Sequence, residues 1–215
     1  MVVPAERVEG WLQRFEARHG ATTWVTTDDA VEVTAEDGSW ARLLPPFPPL
    51  PPATAGAGAV APYGGIVDHV LTDRRVGVLL VRLGGHAAGV FEGTRLVTSK
   101  VGSRQVHGRS AAGGWSQQRF ARRREGQVRV ALEAAADVAV RVLAPEVGRL
   151  DAVVVGGDRA SVETVLADRR LTPLRRLVTE PLLDVPDPRL TVLRDSVTTF
   201  RSVRLDVVDT LPDRQ

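Results

Sequence analysis

Apolar residues in the first part of the chain follow two different periods. At residues 4–19 they recur at helical spacing, with Val8, Trp11, Leu12 and Phe15 on one stripe. Pro4 suits a first turn and Gly20 a stop, so this stretch predicts an amphipathic helix. The period then shortens to two. Residues 22–26, 30–34 and 39–44 are rich in β-branched and aromatic side chains and are separated by Asp28-Asp29 and Asp37-Gly38, which predicts three strands with turns between them. At 45–62 both periods stop. The run PPFPPLPPATAGAGAVAP holds half of the 14 prolines and suits neither a helix interior nor a central strand. It reads as a linker, with a polyproline ligand for a partner protein as the other reading.

Beyond it the pattern predicts a short helix at 66–71 and a meander of strands at 75–83, 86–92 and 94–100, the first pair joined at Gly84-Gly85. Residues 101–114, VGSRQVHGRSAAGG, are small and polar and form a loop. A long helix follows at 115–143. Stepping about 100° per residue places Phe120, Val128, Ala131, Leu132, Ala135, Val138, Ala139 and Val142 on one face and Arg119, Arg122, Arg123 and Arg129 opposite. Arg124 falls on the apolar side, so the start of this helix is expected to overhang its sheet. A strand at 151–155, a helix at 161–168, a strand at 176–179, a helix at 190–200 and a strand at 203–208 complete the pattern. The predicted fold is α/β, of the α+β kind: a mixed β-sheet with packed helices and a small N-terminal α/β appendage. The expected organisation is an appendage at 1–44, the linker at 45–62 and a main domain at 63–215.

Composition narrows the chemistry. The 215 residues contain no cysteine, which removes thiol nucleophiles, disulfides and cysteine-ligated zinc. The four histidines, His19, His69, His86 and His107, form no HxxxH pair, so no metal is expected. No apolar run of membrane-spanning length and no signal-peptide pattern is present, and a cytoplasmic protein without membrane contact is expected.

Charge matters through its distribution. The formal net charge is only +2, yet residues 95–129 hold nine basic residues against the single acid Glu125. That segment carries +8 and the remainder −6. Such asymmetry fits a surface that meets RNA or DNA phosphate, the plainer reading being a solvated helix face.

Several catalytic motifs are absent. Gly114-Trp115-Ser116 is followed by Gln117-Gln118, so no GxSxG nucleophile elbow exists, and Lys100, the one lysine, lacks the glycines of a Walker A loop. Gly84-Gly85-His86-Ala87-Ala88-Gly89 links two strands and opens no helix, so it reads as a hairpin and not a dinucleotide loop. Gly156-Gly157-Asp158 lies between a strand and a helix, where an anion site and a plain aspartate cap are the two readings. The remaining device is the basic glycine loop itself. Its cations can hold phosphates, and its backbone amides can stabilise developing oxyanion charge.

His107-Gly108-Arg109, Gly113-Gly114 and Arg119-Phe120-Ala121-Arg122 together resemble the central domain of eukaryotic and archaeal class I peptide-release factors, whose pattern runs HGRGGQ, three residues, then RFAR. The chain is similar to the release-factor-like peptidyl-tRNA hydrolases of actinobacteria, the VLRF group, related to the Vms-type hydrolases of ribosome quality control. The similarity extends over about 63–209. It departs from release factors by inserting Ser110-Ala111-Ala112 and by placing Trp115 where their GGQ glutamine stands. The VLRF group has a GxxQ pattern instead, which Gly114-Trp115-Ser116-Gln117 satisfies.

The resemblance implies an RNase H-like core and hydrolysis of the ester between nascent peptide and tRNA on stalled ribosomes or large subunits. It implies Gln117 as the essential glutamine, with Gln118 as the competing register, and Gly113, Gly114, Trp115 and Ser116 as its loop. Arg104, His107, Arg109, Arg119, Arg122 and Arg123 would bind RNA. The implied partners are the large ribosomal subunit, peptidyl-tRNA and rRNA, met by a monomer that needs no cofactor. Three rivals remain: a Vms-type endonuclease cutting tRNA near its 3′ CCA end, a ribosome- or RNA-binding module without catalysis, and a protein-protein adaptor acting through the proline-rich segment at 45–62.

Overall fold

In the computed structural model, residues 1–51, 61–103 and 116–210 are described, residues 116–123 in backbone only. The chain divides into two compact units, residues 1–72 with 198–215 and residues 73–197.

The first unit opens with strand β1 (Val2–Val3), a 3-10 turn and helix α1 (Val8–His19), continues through β2 (Thr22–Thr26), β3 (Val31–Ala35), β4 (Trp40–Leu44) and α2 (Ile66–Leu71), and closes with β10 (Val203–Val208). Its sheet is antiparallel throughout in the order β1-β10-β4-β3-β2. Alternation in β3 buries Val31, Val33 and Ala35 and exposes Glu32 and Thr34, as expected of a sheet wet on one side. The buried face packs with Val8, Leu12 and Phe15 of α1 and Ile66 and Val70 of α2. Leu205 of β10 lies opposite Leu43 of β4, so the late strand supplies central core residues. The proline-rich stretch begins inside this core. Leu50 is buried, its N–H donates to the Asp28 carbonyl at 2.7 Å, and His69 Nε2 donates to the Pro46 carbonyl at 2.9 Å. Residues 52–60 of the expected linker lie outside the described residues.

The second unit contains β5 (Arg75–Arg82), β6 (Gly85–Glu92), β7 (Arg95–Ser103), α3 (Ser116–Leu143), β8 (Ala152–Gly157), α4 (Arg159–Leu166), α5 (Thr172–Arg175), β9 (Val178–Leu183) and the start of α6 (Leu190–Phe200). The sheet order is β7-β6-β5-β8-β9. The meander β5–β6–β7 is antiparallel, whereas β8 and β9 run parallel to β5. This is the mixed sheet with packed helices that the sequence predicts. Leu79, Val81, Ala88, Val90, Val153 and Val155 face Ala135, Ala139 and Leu143 of α3 and Val162 and Val165 of α4. On the opposite face Leu193 of α6 lies over Gly89, where a Cβ would come within 3.0 Å of it.

Most element bounds follow the sequence pattern, with two corrections. The strand expected at 176–179 begins at Val178 and runs to Leu183, because the short helix α5, with Pro173 in its first turn, runs to Arg175 and is capped by Arg176. Pro181 does not stop the strand, since β9 is an edge and need not donate on both sides. The helix expected at 161–168 begins earlier, at Arg159, capped by Asp158.

Candidate functional site

Residues 104–115, which include most of the loop expected from the sequence, lie in the chain between the last residue of edge strand β7 and the first turn of α3. Arg104, His107, Arg109, Gly113, Gly114 and Trp115 lie outside the described residues. Ser116, Gln117, Arg119, Arg122 and Arg123 are placed in backbone, all within the first two to three turns of α3, and their side chains lie outside the description. Gln117 and Gln118 are adjacent residues of the first turn of α3.

The N-terminus of α3 has a definite electrostatic character. The first four N–H groups of any α-helix lack intrahelical acceptors and carry the positive end of its dipole. In α3 these belong to residues 116–119, and the first turn contains no acidic residue to offset them. Farther along, Arg124 is exposed with no ion-pair partner among the described residues, and Arg129 meets Glu133 at 3.7 Å on the surface. Burial on α3 begins only at Ala131, and residues 124–130 include no buried side chain. A Cβ on Gly126 would meet nothing within 4 Å. Residues 124–130 therefore add no fully buried side chain to the core; the overhang expected for the helix start concerns residues whose side chains lie outside the description. Between α3 and α4 lies a groove of about 780 Å³ in which Val128, Leu132, Ala136 and Ala167 meet the charged residues Arg124, Glu125, Arg129, Glu133 and Asp168.

At the other root of the loop, Gly102 pairs with His86 across β6 and β7. A Cβ at Gly102 would overlap Nε2 of His86, which is buried, so β7 can lie over the imidazole at position 102 only as glycine. His86 and His69 are both buried, in keeping with their structural reading. The polar cleft beside Ser103, with Asp187 and Arg189 on its wall, was not legible in sequence. Those residues lie some eighty positions from the loop and belong to no motif; the one local signal is the concentration of glycine at 84, 85 and 102.

Gly156-Gly157-Asp158 resolves in favour of the cap. The Asp158 carboxylate accepts from the Ser161 N–H at 2.9 Å and from its Oγ–H at 2.5 Å. These hydrogen bonds hold the Asp158 carboxyl below the usual carboxylate range. The helix start is thus already supplied with a negative group. Among the described residues no group of three or more His, Asp or Glu side chains could hold a metal ion, and no helix is long and apolar enough to cross a membrane.

A family model described as the Actinobacteria/chloroflexi VLRF1 release factor matches residues 74–206. Among solved structures the chain is similar to an archaeal translation termination factor, aRF1, at 17% identity and a TM-score of 0.47, covering 89% of this chain and 52% of that one. A second structure, described only as an archaeal protein, is 18% identical with a TM-score of 0.43 over 87% of this chain and 51% of its own. The chain thus spans about half the length of these structures. No curated protein matches it.

Proposed function

Because the chain belongs to the VLRF1 release-factor family of actinobacteria and chloroflexi, we propose that it hydrolyses the ester joining a nascent peptide to tRNA on stalled ribosomes or large subunits. The observation that carries the reading is the place of Gln117: the first turn of a 28-residue helix whose free amides meet no acidic side chain in that turn. Water attacks the ester carbonyl, the bond to the terminal ribose oxygen breaks, and that oxygen takes up a proton. The products are a free peptide carboxyl group and a tRNA with its 3′ end intact. Gln117 orients the water and excludes misaligned water, while the backbone N–H groups around residues 114–117 stabilise the departing oxygen. Gly113, Gly114, Trp115 and Ser116 form the arm that delivers it. Arg104, His107, Arg109, Arg119, Arg122 and Arg123 hold the phosphates of tRNA and rRNA. The protein acts as a cytoplasmic monomer, and the step needs only positioning and electrostatics.

The test is incubation of the purified protein with ribosome-bound peptidyl-tRNA, followed by sizing of both products. Free peptide and full-length tRNA are expected. Gln117→Ala should lose roughly 10²–10³ in release rate, the usual cost of one such device, while ribosome binding persists. Gln118→Ala should release at close to the wild-type rate; the reverse result moves the role to Gln118. Shortened tRNA, or binding without release, overturns the hydrolase reading.

A further inference from the structure

Beside the last residue of β7, where Pro188 crosses Gly85, a cleft of about 320 Å³ is lined by Gly85, Gly102, Ser103, Asp187, Pro188 and Arg189. Glycines at 84, 85 and 102 leave part of its wall without side chains. A Cβ on Gly85 would lie 3.2 Å from the Pro188 carbonyl oxygen and 3.6 Å from that of Gly102, so the peptide groups approach closely there because glycine leaves them uncovered. Three side chains bring functional groups: the Ser103 hydroxyl, the Asp187 carboxylate and the Arg189 guanidinium, all on exposed residues. Asp187 and Arg189 stand two residues apart with opposite charge, yet no ion pair forms between them. Among the described residues neither side chain has a hydrogen-bond partner.

That combination selects a ligand class. The volume is at the lower end of the range of about 300–1,000 Å³ typical of small-ligand clefts, enough for one small polar molecule. A guanidinium recognises phosphate through two parallel N–H donors. A carboxylate only accepts, and the ribose 2′-hydroxyl is the donor that distinguishes RNA from DNA. A metal ion would find a single carboxylate with a guanidinium nearby, and a wholly apolar ligand would leave the Ser103, Asp187 and Arg189 side chains unmatched. We propose that the cleft binds one nucleotide of the RNA strand that the neighbouring loop engages, its phosphate on Arg189 and its ribose 2′-hydroxyl on Asp187. The identity of that RNA as the 3′ end of peptidyl-tRNA rests on the hydrolase reading; the nucleotide chemistry does not.

The experiment titrates the full chain with the trinucleotide CCA, its deoxy counterpart and inorganic phosphate. CCA should bind the wild type, and Arg189→Ala and Asp187→Ala should each weaken it about tenfold, the loss expected for a charged hydrogen bond. The wild type should prefer ribo-CCA to deoxy-CCA, and Asp187→Ala should abolish that preference. Phosphate should compete through Arg189 alone. Unaltered unfolding midpoints in both variants exclude a folding defect, since both residues are exposed. Failure of CCA to bind, equal binding by all three proteins, no ribose preference, or equal binding of an acidic peptide overturns the assignment. Gln117→Ala should retain full CCA affinity. Wild-type protein that binds CCA as described but releases no peptide would sink the hydrolase reading and leave the cleft standing. Release at the wild-type rate by Asp187→Ala and Arg189→Ala at subsaturating substrate would do the opposite.

Discussion

Replacing Gly126 by alanine and replacing Gly157 by alanine should move stability in opposite directions. Gly126 lies inside α3 with open space where a Cβ would stand, so alanine adds helix propensity without a clash. Gly126→Ala should stabilise by about 1 kcal/mol. Gly157 has φ of +104°, and a Cβ there would overlap the Val81 carbonyl. Gly157→Ala should cost about 1–3 kcal/mol from its backbone strain alone, with the clash added. Urea unfolding of both variants checks the pair; equal midpoints would contradict it. The sequence shows both glycines but not this contrast, because the neighbour that crowds Gly157 comes from β5 and the space around Gly126 is a property of the fold. The Asp158 cap, by comparison, was legible, since its partner Ser161 is three residues away.

At the scale of elements, periodicity located what local chemistry controls. Helix 190–200 and strand 203–208 have the bounds expected, because each is a strongly patterned run with its own stop signals. Pairing order was less accessible. Nothing in residues 203–208 marks them as neighbours of residues 40–44, for antiparallel register depends on side chains more than 150 positions away. The candidate site shows the same division: the loop was found from spacing, whereas Asp187 and Arg189 reach Ser103 only through the turn before α6. One contact between elements is testable by pH. Asp168 accepts from the Arg170 backbone N–H at 2.9 Å, and the Arg170 guanidinium joins both Asp168 and Asp137 of α3. Hydrogen bonds from Arg170 lower the Asp168 carboxyl to about 2. A depressed folded value means that the contribution is complete above the unfolded carboxylate value of about 3.9 and disappears as pH falls through about 2. The gap in unfolding midpoint between wild type and Asp168→Asn should therefore be constant above about pH 5 and close toward pH 2. A gap that widens on acidification would refute the assignment. High salt should narrow it at all pH values, since the network is largely on the surface.

Across the whole molecule, the two compact units predict which fragments fold. Residues 73–200 contain every strand of the β7-β6-β5-β8-β9 sheet and keep α6 whole. That fragment should be soluble and unfold cooperatively. Residues 63–215 carry β10 without β1 or β4, leaving Val203 and Leu205 unsheltered on a strand with two open edges. They should therefore aggregate or show lower stability. Size-exclusion chromatography and thermal unfolding compare the two; a monomeric 63–215 fragment as stable as 73–200 would contradict the argument.

The place of β10 between β1 and β4 also imposes an order on biosynthesis. A ribosome making this chain releases residues 2–44 long before residues 203–208, so the first sheet must wait, lacking an inner member, while the second has all its strands by residue 183. Domains generally fold as units during synthesis, and here the later-encoded sheet is the one able to mature first. The nascent N-terminal segment spends that interval with Leu43 and Ala41 uncovered by their eventual neighbour, a window in which a chaperone that shields apolar strand edges has its natural substrate.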